Sequence, residues 1–109
     1  MTPLARRTCT PHSQGAPPLS GQALRELAVQ LPQWTVLDES RLQREFRFPD
    51  FAAALAFTNA VAAVAEQQNH HPDIHLAWGR VRVELWTHSA GGLTEADFIV
   101  AARIDALAR

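Results

Sequence analysis

The sequence predicts an α+β fold, a four-stranded antiparallel sheet with three helices on one face. Three observations predict it. Apolar residues recur at helical spacing in three separate stretches. Two pairs of short β segments lie between those stretches. The resulting order, helix-strand-strand-helix-strand-strand-helix, packs most economically as one antiparallel sheet covered on one side. At 109 residues the chain is long enough for one domain, and 47% hydrophobic with 19% charged residues suits a chain that buries a core. A core of this size is small, so association into a homo-oligomer would relieve the shortage of buried surface.

Residues 1–18 are rich in Pro, Thr, Ser and Arg without an apolar period, and read as a disordered N-terminal tail ahead of a domain spanning 19–109. Ser20 can cap the first helix, with Leu19 and Leu24 at hydrophobic-staple spacing. Leu24, Leu27, Ala28 and Leu31 carry that helix until Pro32 ends it. Trp34 to Leu37 forms the first strand, Asp38-Glu39-Ser40 a turn, and Leu42 to Phe48 an alternating second strand. Arg44 interrupts its apolar side, which suggests a sheet edge or a subunit contact. Asp50 can cap a long helix to about Asn69. Eight alanines between Ala52 and Ala65 make this helix apolar around most of its girth, as for burial by the sheet and by another subunit. His71 before Pro72 closes it.

Ile74 to Trp78 and Arg80 to His88 form the second strand pair, with Gly79-Arg80 as a two-residue loop whose glycine supplies positive φ. Val81, Val83 and Leu85 point one way; Arg82, Glu84, Trp86 and His88 point the other. The last helix opens at Thr94, where Asp97 completes a shortened capping box and Leu93 with Phe98 a staple.

Several function classes are disfavoured. Ten basic and eleven acidic side chains give a formal charge of -1, so there is no basic excess to grip a phosphate backbone, and nucleic acid is not an expected partner. No apolar run approaches the roughly 20 residues that cross a bilayer, and no apolar segment follows Arg6 and Arg7 as in a secretory signal. No acidic residue precedes Glu26, as in an organellar transit peptide, but the segment is short and broken by proline. Cys9 is the only cysteine, which excludes a disulfide framework and a cysteine zinc site within one chain and fits a reducing, cytoplasmic setting.

Four of the five histidines lie between His70 and His88. Imidazole can both give and take a proton near neutral pH, so a cluster of this kind suits general acid–base chemistry. Glu66 and His70 are four residues apart and share a helix face, where the carboxylate can hold one ring nitrogen and select the tautomer. The loop from Ser89 to Gly92 can bring His88 and Asp97 to the same cleft. The blander alternative has His70 and His71 capping helix carbonyls and Asp97 serving only as a cap. His75 reads as a surface or interface residue, and Trp34, Trp78 and Trp86 as core or interface. His70, His71 and His75, with Glu66 or Asp73, carry donors enough for zinc or copper. Adjacent residues rarely converge on one ion, however, and the helical His-x-x-x-His pattern is absent, so no metal is expected.

The run Ala65-Glu66-Gln67-Gln68-Asn69-His70-His71-Pro72-Asp73, then Val81 to His88, then Gly92-Leu93-Thr94-Glu95-Ala96-Asp97, closely resembles the pterin-4a-carbinolamine dehydratase family. Trp34 and the segment Phe46 to Phe51 follow the family pattern too, so the resemblance covers about Leu19 to Asp105. It implies a four-stranded antiparallel sheet with helices on one face, assembled as a homodimer or homotetramer. The implied reaction removes water from a 4a-hydroxytetrahydropterin to give a quinonoid dihydropterin, recycling the tetrahydrobiopterin-type cofactor of aromatic amino acid hydroxylases. It needs no organic cofactor or metal. Carried over residue by residue, His70, His71 and His88 are the active-site histidines: His70 and His88 form the acid–base pair, and His71 binds and polarises substrate. Glu66 would orient a histidine, Asp97 support the cleft, and Trp34 contribute a wall for the flat pterin. Trp86 departs from the pattern, standing where a small residue is expected before the Thr-His pair, and the Ser89–Gly92 loop lacks an acidic residue after the histidine. The family also includes a member that stabilises a transcription-factor dimer, so a non-enzymatic dimerisation module is the alternative, alongside a related step in another pterin pathway.

Overall fold

A computed structural model describes residues 4–7 and 17–108. It has the predicted element order: α1 (Gly21–Ala28), β1 (Thr35–Leu37), β2 (Arg41–Arg47), α2 (Phe51–Gln68), β3 (Asp73–Ala77), β4 (Arg80–Leu85) and α3 (Glu95–Leu107). The strands form one antiparallel sheet in the order β1-β2-β4-β3. Leu42 and Phe46 of β2 and Val81, Val83 and Leu85 of β4 are buried with Leu24 of α1, Ala54, Phe57 and Val61 of α2, and Phe98, Ile99 and Ile104 of α3. The period-2 alternation puts Gln43, Glu45, Arg47, Arg80, Arg82 and Glu84 on the opposite face. That face is laced with ion pairs, such as Arg47 to Glu45 at 2.6 Å, and among the described residues it carries no helix.

Local chemistry explains most of the boundaries. The Asp50 carboxylate accepts the Ala53 N–H at 2.8 Å and starts α2. The helix ends at Asn69, which takes the left-handed conformation (φ 51°), while the Asn69 N–H donates to Glu66 and the His70 N–H to Ala65. These are the two bonds of a Schellman cap. α1 stops at Ala28, before Pro32, because the N–H groups of Gln30 and Leu31 tighten onto carbonyls three residues back.

Three expectations are corrected. Ala77 pairs with Arg80, so the β3–β4 loop is Trp78-Gly79 rather than Gly79-Arg80. Gly79 does not have positive φ. It is needed because a Cβ there would lie 2.8 Å from the Phe48 carbonyl oxygen, which is backbone and cannot yield. Arg44 does not mark an edge: β2 is an inner strand, and the guanidinium lies 2.6 Å from Asp105 and 4.3 Å from the Phe46 ring centroid. Within the segment expected to be a tail, Leu4 is buried, and Arg7 meets Glu95 at 3.1 Å and accepts the Arg103 guanidinium at its carbonyl. That short stretch therefore packs on α3; residues 1–3 and 8–16, Cys9 among them, lie outside the described residues.

Candidate active site

The ends of three elements supply the site. α2 delivers Glu66, and His70 and His71 follow its cap. The chain leaving β4 brings Thr87 and His88. The first turn of α3 brings Thr94 and Asp97. A short 3-10 turn (His88–Ala90), Gly91 in the left-handed region (φ 71°), and a Thr87 N–H to Gly92 O bond of 2.7 Å return the chain from β4 to α3.

Asp97 is the centre of this arrangement. It is 0% exposed, and both carboxylate oxygens have partners. Oδ2 accepts the Thr94 backbone N–H at 2.9 Å and the Thr87 hydroxyl at 2.8 Å; Oδ1 lies 2.6 Å from His70 Nε2. The Thr87 and Thr94 hydroxyls are 2.9 Å apart and complete the buried network. A buried carboxylate supplied with several donors accepts, so His70 donates from Nε2 and keeps the lone pair on Nδ1. The His70 side chain is 15% exposed.

His71 meets Glu66 through Nε2 and Oε2, and both side chains are more than half exposed. The expected Glu66–His70 contact is therefore not formed. The left-handed turn at Asn69 ends the helix one residue too early to keep His70 on the Glu66 face, and Asp97 takes the place expected of Glu66. His88 is exposed, and its ring lies 5.3 Å from that of Trp86.

Trp34 is at the other end of α3. Its indole N–H donates to Asp105 at 2.8 Å, and Asp105 lies eight residues, about 12 Å of helix, beyond Asp97. The indole also packs edge-on against Phe46, with centroids 6.3 Å apart. His75 pairs with Arg82 across the exposed sheet face. Among the described residues, no three His, Cys, Asp or Glu side chains are gathered to hold a metal ion.

Thr87 is a residue the sequence reading passed over. Its signal was present: Val81, Val83, Leu85 and Thr87 share one parity, so a hydroxyl ends an inward apolar row and needs a buried partner.

The fold is an α+β sandwich in which a buried aspartate holds one histidine of a cluster. Residues 17–107 match the family model described as pterin 4 alpha carbinolamine dehydratase. This chain belongs to that family. Relatives provisionally named pterin-4-alpha-carbinolamine dehydratases include one from Rubrobacter xylanophilus, 51% identical over 98% of this chain and 100% of its own. Another, from Alkaliphilus metalliredigens, is 43% identical over 96% of each chain. Among solved structures, a transcriptional coactivator/pterin dehydratase from Brucella melitensis superposes with a TM-score of 0.78 at 36% identity, covering 84% of this chain and 98% of that one. A pterin dehydratase-like protein identified as a RuBisCO assembly factor in the α-carboxysome gives 0.61 at 32% identity, covering 70% and 89%.

Proposed function

We propose that this chain dehydrates a 4a-hydroxytetrahydropterin to the quinonoid dihydropterin by histidine acid–base catalysis, and so recycles the pterin of aromatic amino acid hydroxylases in the cytoplasm. The observation that carries the reading is the buried Asp97 holding His70 by Nε2. In the reaction the N5–H bond and the C4a–O bond break, the C4a=N5 double bond forms, and the hydroxyl leaves as water. His70 Nδ1 takes the N5 proton, and Asp97 stabilises the imidazolium that results, as buried carboxylates do beside catalytic histidines. His88 gives the proton that the departing hydroxyl needs. His71, with Glu66 beside it, binds the pterin. Proton transfers of this kind are worth about 10²–10⁴-fold in rate.

The test is the dehydration rate of synthetic 4a-hydroxytetrahydropterin with the wild type, His70→Ala and His88→Ala. Acceleration by the wild type, with both folded variants falling toward the spontaneous rate, supports the reading. A wild type no faster than buffer rejects it.

One observation favours a second role as an interaction module. α2 leaves Phe51, Ala52, Leu55, Ala56, Ala62 and Ala63 exposed along one side, a surface that self-association to a homodimer or homotetramer would cover. The two structural neighbours bear names of that kind, a transcriptional coactivator and an assembly factor.

A further inference from the structure

Trp86 and His88 continue the outward parity of Arg80, Arg82 and Glu84, and their rings lie 5.3 Å apart at 45°. The indole is itself restrained. Arg41 Cζ is 4.9 Å from its centroid, and Arg41 pairs with Glu84 at 3.8 Å. Glu84 in turn accepts from Gln43 at 2.9 Å. The β2–β4 register leads to this grouping: beyond Leu42↔Leu85 the next residues on the two chains are Arg41 and Trp86. The β3–β4 register leads there too, since His71 and Trp86 each lie two residues beyond the Asp73↔Glu84 pair.

His88 has no such anchorage of its own. It opens a one-turn 3-10 segment, it is exposed, and its ring makes no hydrogen bond among the described residues. A free imidazole would visit several rotamers, and only the indole is placed to favour one of them.

We infer that Trp86 is a positioning residue for His88: the sheet holds Arg41, Arg41 steadies the indole, and the indole fixes the imidazole. The inference rests on the reading of His88 as one half of the acid–base pair. Flat aromatic contact constrains the tilt of the imidazole without occupying either ring nitrogen, so His88 remains able to transfer a proton.

The test uses Trp86→Ala, Trp86→Phe and Arg41→Gln in the full chain, with two readouts. In steady-state dehydration, Trp86→Ala is expected to lose about tenfold in kcat with KM within about twofold, since small displacements of a catalytic group are costly. Trp86→Phe should return to within about threefold of wild type, and Arg41→Gln should lose about threefold. In the proton NMR spectrum, the His88 ring resonances should carry a ring-current displacement that Trp86→Ala abolishes, while those of His75 stay in place. Unchanged kcat in Trp86→Ala, a loss confined to KM, or His88 resonances identical with and without the indole would overturn the inference. Should Trp86→Ala fail to fold, Arg41→Gln decides: a loss of about threefold in kcat supports the inference, and an unchanged kcat overturns it. If the wild type does not accelerate dehydration, the functional reading fails, and the NMR comparison alone decides whether Trp86 places His88.

Discussion

His70 and Asp97 stand 27 residues apart in the chain and 2.6 Å apart in space, joined through Nε2 and Oδ1. The same carboxylate closes the capping box of α3, so one buried side chain starts a helix and fixes an imidazole. Asp97→Asn keeps the size of that side chain and removes its charge. A loss of about 100-fold in dehydration rate is expected, because the imidazolium loses its counter-charge and the tautomer is no longer enforced. Glu66→Gln, at an exposed pair, should cost less than about threefold, since exposed ion pairs contribute little. Stopped-flow rates on both variants make the comparison; equal losses would show that the buried and exposed carboxylates matter alike.

Thr87→Val removes the hydroxyl donor to Asp97 Oδ2 and nearly preserves shape. Oδ2 keeps the Thr94 N–H, so the loss of one donor from this buried network should cost about 1 kcal/mol of stability. Urea unfolding measures this, and Thr87→Ser should restore most of it. Activity should fall in Thr87→Val in line with the loosened hold on His70.

Trp34→Phe deletes one N–H bond to Asp105 at the far end of α3. Stability should drop by about 0.5–1.5 kcal/mol, the net worth of one hydrogen bond, with the dehydration rate within about twofold of wild type. A large rise in KM would instead make Trp34 the pterin wall that the family resemblance implies.

Leu55→Glu places a charge in the middle of the exposed apolar side of α2. Sedimentation velocity should show a smaller particle than the wild type. An unchanged sedimentation coefficient would remove this face from the assembly.

Much of this could be read from the sequence because strong local signals coincided with tertiary packing. Asp50 and the residues around His71-Pro72 bracket α2, and Thr94 with Asp97 opens α3 where the spacing places it. What stayed hidden depended on backbone handedness or on distant partners. Asn69 in the left-handed region turned a plausible Glu66–His70 pair into Glu66–His71. Arg44 looked like a break in the sheet because its partner, Asp105, lies 61 residues away. Gly79 was assigned a turn conformation, whereas the constraint on it is the approach of the Phe48 carbonyl.

His70, Thr87 and Asp97 reach one another only across junctions between elements, since no single helix or hairpin carries both His70 and its carboxylate. A collapsed chain with native helix content but unsettled packing would therefore be inert. During refolding, recovery of activity should trail recovery of the far-ultraviolet helical signal and coincide with the slowest docking of α3. Under the proposed function, recovered activity would thus time the last step of the domain's own assembly.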